Sequence, residues 1–108
     1  MTASAPALPK HPAEKLKISQ GISQGLLIKR VQPKYPQAAL AIHAEGAVQI
    51  EATINKEGSV TNLKVLKGDK LLAQAALAAV RQWRYKPYYL DGEPVEIQTQ
   101  ITINFKAN

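Results

Sequence analysis

The clearest pattern in the chain is a strict alternation of apolar and polar residues near its C-terminus. In Val95–Phe105 every second side chain is apolar or threonine. Successive side chains of a strand point to opposite faces, so the pattern predicts one long strand with a buried face and a wet face. Such a strand either closes a sheet or leaves an open edge for another chain. The polar positions between the apolar ones are Glu96, Gln98, Gln100, Thr102 and Asn104.

A hairpin is predicted upstream of this strand, over residues 47–66. Apolar and polar residues alternate from Val48 to Ile54, and Asn55–Gly58 is typical of a turn whose last residue has positive φ. The apolar phase slips between Val60 and Leu63, which indicates a β-bulge.

Two helices are predicted around the hairpin. The first starts at Pro36, which suits the first helical turn, and stops at Gly46. The second covers residues 69–84 with Asp69 as N-cap, and its apolar stripe ends in Trp83. The order of elements predicts an α+β fold, a three-stranded antiparallel sheet with two helices packed on one face.

Shorter elements complete the prediction. Leu26–Val31 is predicted as a short strand, and the glycines before it favour turns. Asp91-Gly92 is typical of a hairpin turn and predicts that Tyr88–Leu90 pairs with the start of the last strand. Residues 1–14 contain three prolines and are expected to be the end of a linker or a disordered tail, which leaves residues 15–108 as the domain.

Composition points to a single globular domain. The 108 residues are 45% hydrophobic and 20% charged, and the chain has no cysteine. The net charge of +6 is uneven, because residues 1–34 carry six basic side chains against one acidic side chain. The body of the domain is therefore close to neutral, and the leading segment supplies the basic character.

The chemistry of an enzyme is not indicated, so we expect no catalytic residue, no cofactor and no metal. His11 and His43 have no cysteine or second histidine at metal-ligand spacing, and His43 is expected on the surface of the first helix. Neither phosphate-binding glycine motif is present.

With no enzyme chemistry indicated, two kinds of macromolecular binding are considered: nucleic-acid binding and peptide binding. Arg81, Arg84 and Lys86 lie among tyrosines, a mixture that can stack on single-stranded bases, but the nearly neutral body argues against nucleic-acid binding. Peptide binding by addition of a strand fits the final strand better, because an open edge binds through main-chain hydrogen bonds. Alternatively, that strand is fully paired inside the sheet or pairs with its copy in a homodimer.

A set of motifs in fixed order adds a resemblance over about residues 31–106. The motifs are Gln32-Pro33-Lys34-Tyr35-Pro36, Ile54–Val60 with its glycine turn, Ala76–Pro87 with its A-x-x-A-V-x-x-W-x-Y-x-P pattern, Gly92–Val95 and the closing Asn104-Phe105. In this order and spacing the chain resembles the C-terminal domain of TonB-family energy transducers.

The resemblance implies a function in transport. Such transducers are anchored in the bacterial inner membrane by an N-terminal helix that meets a proton-driven motor of the ExbB/ExbD type, and a Pro-rich linker crosses the periplasm. Their C-terminal domain binds the TonB box of outer-membrane receptors as a strand added beside its last strand. This couples proton motive force to active import, and no bond is made or broken by the domain.

The resemblance also implies a partner-peptide site. It consists of the alternating polar residues of the last strand together with the Q-P-x-Y-P segment, that is Gln32, Pro33, Tyr35 and Pro36. No membrane helix is present in the chain, so we expect a fragment or a soluble relative. TolA-like periplasmic domains, which are similar in shape, stay an alternative. Lys15–Arg30 lies outside the motifs and its role is open; one interpretation is that it covers the edge or adds a strand, which would block the TonB box until the segment moves.

Overall fold

A computed structural model describes residues 16–106, and the predicted linker or tail at residues 1–14 lies outside them. The strands and helices follow in the order β1 (Leu16–Lys17), α1 (Gln20–Gly25), β2 (Leu27–Lys29), α2 (Gln37–Ala41), β3 (Gly46–Ile54), β4 (Val60–Lys67), α3 (Lys70–Val80), β5 (Arg84–Tyr85), β6 (Tyr88–Leu90), β7 (Glu93–Val95) and β8 (Ile97–Phe105).

The main sheet has the strand order β1-β8-β3-β4. β3 pairs with β8 in antiparallel register over nine residue pairs, from Gly46 opposite Phe105 to Ile54 opposite Ile97. β4 pairs with the other side of β3, also antiparallel. The predicted α+β fold with a three-stranded antiparallel sheet is therefore confirmed, and the short β1 joins it in parallel as a fourth strand.

The final strand is shorter than predicted because the chain changes partner at Glu96. Val95 still belongs to β7, which pairs with β6 in a separate two-stranded sheet. The turn between them is Asp91-Gly92, with φ of 53° and 80°, as the sequence predicted. After Glu96 the chain enters the main sheet as β8, whose side chains alternate between buried and more exposed positions.

The predicted hairpin is confirmed, and the side chain of Asn55 organises its turn. The Asn55 Oδ1 accepts hydrogen bonds from the amides of Glu57 at 3.0 Å and Ser59 at 2.9 Å. Gly58 has a φ of 89°, the left-handed conformation expected at this position. The register shifts beside Ile54, opposite Val60, where the sequence predicted a bulge.

Helix α3 is the main helix of the core. The carboxylate of Asp69 caps it, accepting hydrogen bonds from the amides of Leu71 at 2.8 Å and Leu72 at 3.2 Å. The helix ends at Val80, four residues before the predicted end, because the amides of Gln82 and Trp83 turn back onto nearer carbonyls. Its buried residues are Leu72, Ala73, Ala76, Ala79 and Val80.

The two remaining helices differ from the prediction. α2 is one short turn with Pro36 as its N-cap, and it ends before His43, whose φ of 54° is not helical. His43 is thus an exposed residue beyond the helix and not on it. α1 falls where the sequence favoured turns, with the Ser19 hydroxyl accepting a hydrogen bond from the amide of Ile22 at 3.3 Å. The predicted strand within Leu26–Val31 is β2, which pairs with β5.

We expect two glycine substitutions to separate backbone strain from steric conflict. Gly58 and Gly92 both have positive φ, but a Cβ on Gly58 would clash with the Tyr85 carbonyl oxygen, whereas Gly92 has open space. Gly92→Ala should lower the free energy of unfolding by about 1–2 kcal/mol. Gly58→Ala adds overpacking and should lower it by about 2–5 kcal/mol. Urea unfolding measures both, and equal losses would contradict the close approach of Gly58 to β5.

Candidate functional site

The side of β8 that faces away from β3 is the candidate site, and we call it the outer edge. The amide of Ile18 donates to the carbonyl of Gln98 at 2.9 Å, so the main-chain groups of Gln98 point to this side. Successive peptide groups of a strand alternate in direction. The amides and carbonyls of Gln100, Thr102 and Asn104 therefore also point away from β3, toward the outer edge.

Only the first part of this edge is paired with a strand. β1 lies parallel to β8, with Leu16 opposite Ile97 and Lys17 opposite Gln98. Between residues 16 and 106, no other strand pairs with the outer edge. From Gln100 onward the outward main-chain groups of β8 thus have no strand beside them in the part of the chain that the structure describes.

A buried cluster of hydroxyl groups joins the leading segment to β8. The Thr99 hydroxyl lies 2.9 Å from the Ile18 carbonyl oxygen and 2.9 Å from the Ser23 Oγ of α1. Thr99 is 3% exposed and Ser23 is 1% exposed. The Ser23 hydroxyl is also 3.1 Å from the carbonyl oxygen of Gln20. Because buried hydroxyls need partners, this cluster ties the position of α1 to that of β8.

Two cavities lie along the outer edge beside α1. One of about 320 Å³ is lined by Gln98–Gln100 and by residues 17–20 of the leading segment, with Glu51 on the sheet. The other, of about 270 Å³, follows at Gln100–Thr102. Gln20 lines both, and its Oε1 lies 3.1 Å from the Thr102 Oγ1. The outer edge thus has one cavity on each side of the Gln20 side chain.

The second cavity has one cationic and two aromatic side chains in its wall. The Arg30 guanidinium carbon lies 5.4 Å from the centre of the Trp83 ring, and Trp83 Nε1 donates to the Val31 carbonyl at 2.9 Å. Tyr85 is almost fully buried next to them, and burial raises its pKa to about 12 although Arg30 acts in the opposite direction. Arg30 and Trp83 give this cavity a cation–π contact at its rim.

The Q-P-x-Y-P segment lies at the other end of β8. The ring of Tyr35 packs edge-on against that of Phe105, with centroids 5.5 Å apart. The Tyr35 hydroxyl donates to the carbonyl of Ala44. Gln32 is exposed, and Pro33 and Pro36 are half-buried. Tyr35, one of the four predicted residues in this segment, therefore has a direct ring contact with the end of β8.

The predicted residues of the last strand lie where alternation places them. Gln98, Gln100, Thr102 and Asn104 have half-buried or exposed side chains on the wet face, while Glu96 precedes β8. Their main-chain groups, more than their side chains, define the outer edge. Gln98 differs from the others because its carbonyl is already bonded to Ile18.

The aromatic–basic cluster does not form one continuous surface. Tyr85 belongs to the core, Tyr88 is half-buried, and Tyr89 is 60% exposed on β6. The Arg84 Nη1 donates to the carbonyl of Trp83 at 2.9 Å. The tyrosines are therefore not arranged as a common platform for bases.

No helix within residues 16–106 has the length and hydrophobicity needed to cross a membrane. Over the same described range, histidine and carboxylate side chains do not gather into a group that could hold a metal ion.

The family model for the Gram-negative bacterial TonB protein C-terminal matches residues 31–107. The chain belongs to this TonB C-terminal family. The match contains the Q-P-x-Y-P segment, the hairpin, α3 and β8, while β1, α1 and β2 precede it.

Relatives with the TonB name agree with this assignment. Protein TonB of Vibrio cholerae serotype O1 is 36% identical over 107 residues, which are 90% of this chain and 44% of that protein. Protein TonB of Klebsiella pneumoniae is 34% identical over 83 residues, which are 75% of this chain and 32% of that protein. The chain therefore spans less than half the length of these TonB relatives.

Solved structures of TonB domains share the fold. The solution NMR structure of the Pseudomonas aeruginosa TonB CTD superposes with a TM-score of 0.65 at 26% identity, covering 76% of this chain and 85% of that chain. The TonB2 protein of Vibrio anguillarum gives a TM-score of 0.58 at 25% identity, covering 100% and 97%. The α+β fold is thus that of TonB C-terminal domains.

Sequence reasoning missed the residues that join the leading segment to this TonB-like domain. Thr99 carried a signal, because it is the one polar residue among the apolar positions of β8. Ser23 and Gln20 carried none, since their contacts with Thr99 and Thr102 join residues more than 70 positions apart. Arg30 was recognised only as part of a basic segment.

We expect Tyr85 to make stability depend on pH above 10. Its pKa rises from 10.0 to about 12 on folding, so between these values the unfolded chain has lost a proton that the folded chain retains. Stability is unaffected by this group below pH 10 and falls as pH rises toward 12. Tyr85→Phe should flatten that part of the profile of unfolding free energy, and Tyr89→Phe, at an exposed position, is the control. Parallel profiles for the wild type and Tyr85→Phe would contradict this assignment.

Proposed function

We propose that this chain is the periplasmic receptor-binding domain of a TonB-type energy transducer, and that it is not an enzyme. In this proposal the outer edge of β8 binds the TonB box of outer-membrane receptors as an added strand. The whole protein would be anchored in the inner membrane and meet an ExbB/ExbD-type motor, so that proton motive force drives import. Residues 15–108 would form the domain, and residues 1–14 would belong to the linker.

The observation that carries the proposal is the direction of the main-chain groups of β8. Gln100, Thr102 and Asn104 turn their amides and carbonyls outward, and an extended segment can bond to them without any special side chain. Each such bond contributes only about 0.5–1.5 kcal/mol net. A few such bonds together can hold a partner strand under load and still allow it to dissociate afterwards.

The Q-P-x-Y-P segment is proposed as the second part of the site. Tyr35 packs on Phe105 at the end of β8, so a strand laid along the outer edge runs toward this segment. The proposed partner-peptide residues are therefore those of the sequence prediction: Gln32, Pro33, Tyr35, Pro36, Glu96, Gln98, Gln100, Thr102 and Asn104.

A homodimer through β8 is the second candidate, because the same outward main-chain groups can pair with a copy of the strand. It predicts self-association that a receptor peptide abolishes. A TolA-like role for the same edge predicts binding of partners other than TonB boxes. Nucleic-acid binding is disfavoured by the described residues, since Tyr85 is in the core and the tyrosines do not form a common platform for bases.

The test is an amide NMR titration with peptides copied from TonB boxes of receptors of the same genome. We expect shifts along β8 from Gln98 to Asn104 and around Gln32–Tyr35. Gln100→Pro removes an outward amide while leaving the pairing with β3, so it should weaken binding about tenfold or more. Gln100→Ala retains the amide and should bind like the wild type.

Circular dichroism and the amide spectrum check that Gln100→Pro is folded. A folded Gln100→Pro variant that binds the peptide with unchanged affinity would exclude pairing along the outer edge. Equal weakening by Gln100→Ala would instead assign the binding to the side chain of residue 100. Sedimentation without peptide tests the homodimer.

A further inference from the structure

Residues 16–31 of the leading segment are attached to the rest of the domain in two different ways. Its second half is fixed to the core, because β2 pairs with β5 and the Leu26 carbonyl accepts a hydrogen bond from the amide of Lys86 at 2.7 Å. Further along the segment, the Trp83 indole N–H donates a hydrogen bond to the Val31 carbonyl. Its first half, residues 16–25, lies against β8 through β1 and α1. We call residues 16–25 the cover.

We propose that the cover is an internal competitor for the outer edge of β8, and that it must swing away about Gly25-Leu26 before a partner segment can pair along the whole strand. This inference rests on the proposed function and deepens it. It makes the affinity for a receptor peptide depend on how firmly the cover is closed.

The cover and an added strand require the same atoms. The amide of Ile18 already bonds to the Gln98 carbonyl, which is one of the outward groups that an incoming strand needs. The Gln20 side chain lies on Thr102, two outward positions further along. Because a paired strand lies about 4.8 Å from its neighbour, it cannot lie along Gln98–Thr102 while β1 and α1 are there.

The cover is built from weak elements. β1 has two residues, and α1 has six residues of which two are glycine, a residue that disfavours helix. So short a helix is not stable without tertiary contacts. Ile22 on α1 is 53% exposed and adds little burial. Opening of the cover therefore requires much less free energy than disruption of the nine-pair ladder between β3 and β8.

The buried hydroxyl cluster acts as a latch on this weak segment. Thr99 is a polar residue on the apolar face of β8. When the cover is closed, its hydroxyl lies within hydrogen-bond distance of the Ile18 carbonyl and of the Ser23 hydroxyl. When the cover opens, water can satisfy both hydroxyls, so the latch opposes opening without making it prohibitive. An apolar residue at position 99 would provide no such polar attachment.

A reversible cross-link tests the competition directly. The Oγ atoms of Ser23 and Thr99 are 2.9 Å apart, so sulfurs in their place can form a disulfide after small side-chain rotations. The chain has no cysteine of its own, so the pair in S23C/T99C has no competing thiol. The oxidised protein holds the cover closed, and the same protein after reduction is its matched control.

The probe is the receptor TonB-box peptide of the titration described above. We expect the oxidised protein to bind at least tenfold more weakly than the reduced one, with no shifts at Gln98–Thr102. Equal binding in both states would overturn the competition while leaving the proposed function intact. Binding in neither state, with the wild type also inactive, would remove the proposed function and the competition with it.

A second variant stabilises the closed position of the cover without a cross-link. Gly21 and Gly25 have open space around the position of a Cβ and no positive φ, so Gly21→Ala/Gly25→Ala should stabilise α1. Apparent affinity for the peptide should fall several-fold. Amide exchange at Ile18 and Ser23 should slow in parallel, while exchange in β3 stays as in the wild type.

Unchanged affinity despite slower exchange in the cover would overturn the proposal, because a firmer cover would then not compete. Exchange of the Ile18 and Ser23 amides as slow as that of β3 in the wild type would also overturn it. In that case the cover would open only when the whole domain unfolds.

Discussion

The antiparallel ladder between β3 and β8 is the constraint on which the rest of the domain depends. Its nine pairs fix the register of β8, so the side chains of Ile97, Ile101 and Ile103 are buried in the core. The same register turns every second peptide group of β8 away from β3. A packed core and an outward row of hydrogen-bonding groups are thus two consequences of one pairing.

Much of this arrangement could be predicted from sequence because the signals are local. Alternation along β8 fixes its faces, Asp69 marks the start of α3, and Asn55–Gly58 marks a turn. Each signal lies within a few residues of the structure it specifies. The family resemblance added the expectation that the outer edge binds a peptide, which alternation alone leaves open between a closed sheet, a homodimer and a bound peptide.

The features that the sequence did not predict depend on contacts between distant residues. β1 is only two residues long, and its pairing with β8 joins Lys17 to Gln98 across most of the chain. α1 contains two glycines, and its sequence by itself favours turns. The contact of Ser23 with the distant Thr99 supports the helix, and no local pattern indicates that contact. The end of the long alternating run at Glu96 likewise follows from a change of partner, which no local pattern records.

An open sheet edge has two opposing requirements. Outward main-chain groups must be accessible to a partner strand, yet the same groups recruit unwanted strands when they are left uncovered. Lysine or proline in the middle of β8 would guard the edge but would also weaken the proposed binding of a partner strand, and β8 contains neither. A weak strand and helix from the same chain meet both requirements, because they occupy the edge at high local concentration and give way to a better strand. The closing free energy of residues 16–25 then sets the affinity threshold that a partner must exceed.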